Sequence, residues 1–292
     1  MLNFKIKCDV EKDKISFKKF LFEKKHIHKR GHVRKSIFFC YYSLANIENI
    51  SQAEGEKLVD NFLEQKYFEY KYKIDDIIKK WKKLFNGNKQ KIVEGFCKTM
   101  DYQINNETVH IYPSFLPSST FGSDIIKFSI VTEVFKNQEN NYLDIFLHEY
   151  CHIIREKQIK NVYSKIGELS DVGHDYLKEI IAPVIVRDSF WDGIRQGENI
   201  KYANTRQQLL NISVDGKSIN LVDCFEKNYI DSKREGLSFE QISINFVKIF
   251  NKIQNQIEEK HKIWSQVGFN LANRAELKKV LEKNGYMKDI IL

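Results

Sequence analysis

The stretch that most constrains the fold is Asp144 to Glu156, which reads D-I-F-L-H-E-Y-C-H-I-I-R-E. Positions four apart on an α-helix lie on the same face, so His148 and His152 can offer two imidazole nitrogens to one divalent metal. Glu149 projects close to that face. The residues around these three are uncharged, as a helix buried on most sides requires. The sequence therefore predicts a buried helix that carries a metal site.

The start of this helix is expected at Asn140 and Asn141, because asparagine caps helix N-termini. Asp144 falls in the first turn, where a carboxylate suits the helix dipole. It also lies one turn before His148 and is a candidate for orienting that imidazole. The alternative interpretation is an ordinary buried helix whose two histidines are only hydrogen-bonded.

The H-E-x-x-H pattern of His148, Glu149 and His152, with its uncharged flanks, resembles the active-site helix of the zincin metallopeptidases. The resemblance implies Zn²⁺ as the cofactor and the two histidines as ligands. Glu149 then acts as the general base that takes a proton from a zinc-activated water. The implied substrate is a peptide or protein, cleaved by hydrolysis of a peptide bond.

A third ligand must come from elsewhere, because a catalytic zinc normally takes three protein ligands and keeps one position for water. The third histidine of the metzincins is absent, since Gln158 occupies its position. The resemblance is therefore to the gluzincins, which supply a glutamate from a following helix. The candidates are Glu168, Asp171, His174, Asp175 and Glu179.

We choose Glu179 as the metal ligand, because its sequence neighbours are apolar and buried carboxylates are rare unless paired or metal-bound. Asp175 and Glu168 stay open as alternatives, and Asp175 can also serve to orient a ligand. A further group should stabilise the oxyanion of the intermediate. The sequence does not choose among its candidates, which are His174, Tyr176, Arg187 and Tyr202.

Extended segments are predicted at residues 2–8, 33–44, 107–115 and 124–135. The first two are expected to form a hairpin around the basic stretch 24–35, which contains His26, His28 and His32. We interpret that stretch as a solvated turn; a phosphate-binding or accessory metal patch is the alternative. In zincins the strand before the active-site helix is a sheet edge that pairs with extended substrate. Residues 124–132 are thus either such an edge or an ordinary interior strand.

The other segments show helical spacing of apolar residues. Helices are predicted at residues 52–86 (ended by Gly87), 89–100, 173–190 (kinked at Pro183), 205–212, 217–229, 238–264 (capped by Ser238 and Gln241) and 273–284. Residues 157–173 are expected to be a loop or a short helix. The predicted fold is α+β, mainly helical, with a small antiparallel or mixed sheet packed on the motif helix. Three regions, 1–104, 105–192 (the catalytic core) and 193–292, are expected to pack as one compact unit.

Composition and sequence pattern favour one cellular compartment over others. No apolar run reaches the roughly 18 residues of a spanning helix, so no membrane partner is expected. The N-terminus lacks the apolar core of a secretory signal. The five cysteines show no C-x-x-C spacing, which favours free thiols in a reducing compartment. We therefore expect a cytoplasmic protein.

Two alternatives to the peptidase stay open. The zincin-like protein acts on a non-peptide amide or serves as a non-catalytic regulatory domain. The formal net charge of +8 suggests instead a nucleic-acid-binding helical protein with a chance motif. Nucleic acid is not the expected partner, because the positive charge is spread along the chain apart from one run near the start. The sequence leaves substrate specificity and oligomeric state open.

Overall fold

The computed structural model describes residues 1–24, 33–34, 36–195, 211–214 and 217–267 of the 292-residue chain. The strands are β1 Leu2–Ile6, β2 Glu107–Ser114, β3 Thr120–Phe121, β4 Ile125–Ser129, β5 Asn211–Val214 and β6 Lys217–Asn220. The helices are α1 Val10–Phe22, α2 Gln52–Glu69, α3 Lys71–Met100, α4 Val131–Lys136, α5 Tyr142–Ile166, α6 Asp171–Val186, α7 Leu221–Arg234 and α8 Phe239–Val267. The mainly helical α+β fold with a small mixed sheet is confirmed.

The chain forms two compact units, each built from two separate segments. Unit 1 contains Met1–Gln90 and Asn105–Phe146, and unit 2 contains Lys91–Ile104 and the described residues from Leu147 onward. The boundaries fall inside the long helices α3 and α5.

Unit 1 contains a four-stranded sheet in the order β1-β2-β4-β3, in which β2 runs parallel to β1 and β4. The first turns of α5 are held in its aromatic core. The Phe146 ring lies 5.5 Å from Phe4 and 5.1 Å from Phe85, and the Tyr142 ring lies 4.7 Å from Trp81, all between centroids. These contacts fix the helical turn that directly precedes the motif.

Strand β4 has neighbours on both sides, because β3 pairs antiparallel with it at Ile126 and Lys127. It is therefore an interior strand, and the alternative of a free edge for extended substrate is wrong. The predicted strand also ends early. Residues 131–136 form α4, with Ile130 and Val134 buried one turn apart.

The strand predicted at residues 33–44 is also wrong. Residues 36–40 are helical and Tyr42–Asn49 is a 3₁₀ helix, so the expected hairpin with β1 does not form. Ile37, Tyr41 and Leu44 are buried, which is the i, i+4, i+7 spacing of a helix. A short apolar run carries this pattern and a strand pattern equally well, so periodicity alone cannot separate them.

Three helix boundaries differ from the prediction. The helix predicted at residues 52–86 breaks at Tyr70, and α3 continues through Gly87 to Met100, with Trp81 and Phe85 buried before this glycine and Ile92 and Phe96 buried after it. The motif helix α5 extends to Ile166, into the segment expected to be a loop or a short helix.

Unit 2 contains α6, α7 and α8 together with the β5-β6 hairpin. The ring centroid of Phe225 on α7 lies 5.2 Å from Phe246 and 6.2 Å from Phe250, both on α8. The capping pair of Ser238 and Gln241 is confirmed by reciprocal backbone hydrogen bonds. Helix α6 continues through Pro183 to Val186.

The hairpin replaces helix predicted at residues 211–212 and 217–220. Several other predictions lie outside the described residues. These are the histidines His26, His28 and His32, the helix at 273–284, most of the helix at 205–212, and Tyr202. Within the described ranges, none of the helices combines the length and apolar character needed to span a membrane.

Two glycines of α3 test how tightly this helix is packed. A Cβ at Gly95 would collide with the buried Trp191 indole, whereas a Cβ at Gly87 would meet nothing within 4 Å. We expect Gly95→Ala to destabilise the protein by about 1–3 kcal/mol through overpacking. Gly87→Ala, the matched control in the same helix, should stabilise it by up to about 1 kcal/mol. Urea unfolding followed by circular dichroism measures both, and equal shifts would contradict the packing described.

Candidate metal centre

The two motif histidines meet on one face of α5. His148 and His152 are one turn apart, and their Nε2 atoms lie 3.0 Å from each other. The rings are nearly perpendicular, at 85° with centroids 4.6 Å apart. Two ring nitrogens thus point at a common position, as the four-residue spacing predicts.

A tight connection brings α6 back against this face. Gly167 has a φ of +85°, a left-handed conformation that ends α5 and that glycine adopts without steric cost. The Ser170 hydroxyl then accepts from the Gly173 N–H and caps α6. Helix α6 then returns to the motif, because the Glu179 carboxylate lies within 3.6 Å of both histidines.

The carboxylate of Glu179 completes a three-residue cluster. Its Oε2 lies 3.5 Å from His148 Nε2, and its Oε1 lies 3.6 Å from His152 Nε2. Ligands at about 2.0–2.1 Å in a tetrahedral zinc site are separated from one another by about 3.3 Å. One ligand atom from each of the three residues lies within 4.8 Å of the others, close enough for all three to hold one ion. The role of Glu179 as a ligand stays a prediction.

The cluster is buried on its histidine side and reachable on its glutamate side. The side chains of His152 and His148 are 2% and 10% exposed, whereas Glu179 is 24% exposed. Glu149 is half-buried and adjoins His148 in the chain, and its charge contributes to raising the pKa of that imidazole. An ion held here would thus be screened from bulk water by the imidazoles and accessible from the carboxylate side.

The pKa values of Glu179, His152 and His148 are shifted in different ways, so the three side chains carry different charges. Burial raises the pKa of Glu179, but the neighbouring imidazoles outweigh this and hold that pKa well below its usual value. Burial lowers the pKa of His152 to about 4. Burial also acts against the charged form of His148, but the hydrogen bond with Glu179 and the charge of Glu149 raise its pKa overall. These directions place a proton on His148, and none on His152 or Glu179, between about pH 5 and 6.

The other predicted ligands lie elsewhere. Asp175 pairs with the buried Lys178, whose Nζ lies 3.2 Å from its Oδ1, and Glu168 and Asp171 are exposed. His174 contacts Glu156 at 3.0 Å and the Tyr163 hydroxyl at 2.8 Å. Within the part of the chain that the structure describes, the group able to hold a metal comprises His148, His152 and Glu179.

The candidates for oxyanion stabilisation are also placed. Tyr176 is buried with its ring 5.7 Å from His261, and Arg187 pairs with Glu226 at 2.9 Å. His174 is partly exposed and held by its two partners. Asp144 is fully buried in the first turn of α5, and its role in orienting His148 stays a prediction.

Sequence reasoning missed two cations near the cluster. Lys178 is buried with its Nζ 4.0 Å from Glu179 Oε1, and its charge lowers the pKa of both imidazoles. Arg155 is also buried. The spacing of His148, His152 and Arg155, at i, i+4 and i+7, was a visible indication that the arginine shares the motif face.

The first prediction for this site concerns its carboxylate. Glu179→Gln should weaken divalent metal binding by more than about 100-fold, because an amide oxygen is a poor substitute for an anionic ligand. Asp175→Asn, one turn away on the same helix, should lower the affinity by about tenfold at most, because its partner is Lys178. His148→Ala and His152→Ala should each lose the metal. Competition with a chelator measures the affinities, and circular dichroism checks the folding of each variant. If Asp175→Asn binds the metal most weakly, Asp175 rather than Glu179 is the third ligand.

The second prediction concerns protons. At pH 5.5 His148 carries a proton because its pKa is raised, whereas His152, with a pKa of about 4, is already neutral. Metal binding should therefore release about one proton from the ligands, and affinity should rise with pH until it passes the pKa of His148. Titration calorimetry in buffers of different ionisation enthalpy counts these protons. Release of two protons would show that the histidines titrate as independent, unshifted groups.

Comparison of the chain with models of known protein families, with curated proteins and with solved structures found no match. The assignment of this site therefore depends on the residues themselves. What they provide is a cluster of two imidazoles and one carboxylate with the spacing of metal ligands.

Proposed function

We propose that this protein is a zinc-dependent metallohydrolase that cleaves peptide bonds. His148, His152 and Glu179 hold the zinc, and Glu149 is the general base. The observation that carries the proposal is the convergence of the Glu179 carboxylate on two imidazoles whose Nε2 atoms lie 3.0 Å apart.

The donor set supports zinc. Two neutral imidazoles and one carboxylate suit borderline divalent metals, and three protein ligands leave a position open for a reactant. When bound, zinc supplies a Lewis acid that lowers the pKa of water and polarises a carbonyl group. The partial exposure of Glu179 leaves a route by which both reactants can reach the cluster.

The position of Glu149 supports hydrolysis. It directly follows His148 and is half-buried, so its carboxylate lies at the border between the buried cluster and solvent. A water oxygen adds to the peptide carbonyl carbon while Glu149 accepts one of its protons. Glu149 then delivers that proton to the amide nitrogen as the C–N bond breaks, so that water is consumed and a carboxylate and an amine are released.

Lys178 supplies positive charge next to the cluster. Lys178 is close enough to Glu179 to stabilise its anionic form and also neutralises Asp175. This arrangement keeps Asp175 engaged away from the metal position. Among the described residues, Glu179 is thereby the one carboxylate in the group that would hold a metal.

The test of this function is Glu149→Gln. We expect this variant to bind zinc like the wild type but to hydrolyse peptides about 10²- to 10⁴-fold more slowly, because an amide cannot accept the proton. Glu168→Gln, exposed in the connection between α5 and α6, is the matched control and should retain full activity. Zinc content by elemental analysis and cleavage of a peptide mixture by mass spectrometry give the two measurements.

The outcomes separate the candidate functions. Wild-type cleavage rates in Glu149→Gln would show that the assigned base is wrong. Zinc binding without cleavage of any peptide would favour a non-peptide amide substrate or a regulatory role. Absence of zinc from protein purified without chelators, and failure to take it up, would overturn the proposal.

A further inference from the structure

The guanidinium group of Arg155, three residues after His152 on α5, is buried, and two of its donors have no hydrogen-bond partner among the described residues. Its side chain is 2% exposed, and Nη1 lies 3.3 Å from Glu156 Oε1 and 3.4 Å from His174 Nε2. The Nε and Nη2 atoms are also buried, and neither has a hydrogen-bond partner among the described residues. Buried donors without a partner are rare in native proteins, and a buried cation makes them more costly.

The unpaired atoms are a matched pair of donors. Nε–H and one N–H of Nη2 lie on the same edge of the planar guanidinium and point in parallel. This edge fits the two oxygens of a carboxylate, which it binds through two charge-assisted hydrogen bonds. Glu156 and His174 occupy the Nη1 side, and the Tyr163 hydroxyl contacts the other ring nitrogen of His174. These contacts hold the Nη1 side of the guanidinium, and the buried Nε–Nη2 edge has no partner among the described residues that meets the hydrogen-bond geometry.

Arg155 shares a face of α5 with the two histidines. It follows His152 by three residues, a rise of about 4.5 Å along the helix axis. Successive Cα atoms of a peptide are about 3.8 Å apart, so this offset corresponds to about one amino-acid residue. A substrate whose scissile carbonyl lies at the histidines would thus bring a group one residue further on toward Arg155.

We propose that the Nε–Nη2 edge of Arg155 binds a carboxylate of the substrate next to the metal centre. The substrate class is then a peptide with a carboxylate one residue beyond the scissile bond, at its C-terminus or on an acidic side chain. This inference rests on the proposed hydrolytic function. Glu156 and His174, which contact Nη1, are partly exposed, so the buried guanidinium lies close to the protein surface.

Three peptides of equal length distinguish the sources of the carboxylate. The first has a free C-terminus and no acidic residue, the second is its C-terminal amide, and the third is an amide with glutamate as its last residue. We expect the wild type to cleave the first at least about 100-fold more efficiently than the second in kcat/KM, given two charge-assisted hydrogen bonds. Preference for the third over the second would assign an acidic side chain as well. Equal cleavage of all three would overturn the subsite.

Arg155 variants locate the preference. Arg155→Met should reduce kcat/KM for the free-acid peptide to the level of its amide, and Arg155→Lys should keep only part of the preference because it offers no bidentate edge. Lys157→Met, which removes an exposed charge on the same helix, is the matched control and should leave the preference unchanged. A full preference in a folded Arg155→Met protein would exclude this residue.

A binding measurement separates this inference from the proposed function and does not depend on Arg155 variants that fold. The Glu149→Gln protein is titrated with the free-acid peptide and its amide, and dissociation constants are measured by fluorescence anisotropy. Tighter binding of the acid by about 100-fold supports the subsite even when no hydrolysis is found in the wild type. Hydrolysis by the wild type together with equal binding of acid and amide would leave the function standing and overturn the subsite.

Discussion

A partly exposed carboxylate placed against two buried imidazoles is the interaction on which the candidate site depends. Partial removal from water penalises the anionic form of Glu179, so a neighbouring positive charge stabilises it. Lys178, a proton on His148 or a divalent cation can each supply that charge. The turn at Gly167 and the Ser170 cap of α6 position Glu179 against the two histidines.

Asp13 is a buried carboxylate that is stabilised by neutral hydrogen-bond donors and, among the described residues, belongs to no group that could hold a metal. Asp13 in unit 1 is almost fully buried and accepts hydrogen bonds from the Ser114 hydroxyl, the Phe115 N–H at 2.8 Å and the Tyr67 hydroxyl at 3.2 Å. Burial raises its pKa, and the three hydrogen bonds only partly offset this. Asp13 thus ties α1 to the end of β2 with neutral donors. Glu179 instead faces ring nitrogens that are as suited to a metal as to a proton, which is why the two carboxylates support different interpretations.

The three candidate metal ligands could be predicted from the sequence, but the contacts of the residues around them could not. The spacing of His148 and His152 fixes their relative position on any helix, and the apolar neighbours of Glu179 indicated that it faces inward. The contacts of Arg155 with Glu156 and His174 depend on the pairing of α5 with α6, which no local pattern specifies. The apolar runs at 36–44 and 131–135 were mistaken for strands because short buried helices and strands share the same composition. Gly87 did not end α3, since buried side chains on both sides of it, Phe85 and Ile92 among them, outweigh the roughly 1 kcal/mol that a single exposed glycine costs a helix.

The division of the two units along the chain has a consequence for synthesis on the ribosome. Unit 1 needs residues up to Phe146, so it cannot be completed until the first segment of unit 2, Lys91–Ile104, has already emerged. That segment contains the buried Phe96 and Met100, whose partners Tyr150 and Cys151 are made later. Phe96 and Met100 therefore stay exposed until about 50 further residues have been translated. At cellular rates of roughly 5–20 residues per second this takes seconds. The nascent chain is then most exposed to aggregation and to chaperone binding in that interval, before the first histidine of the motif has been translated.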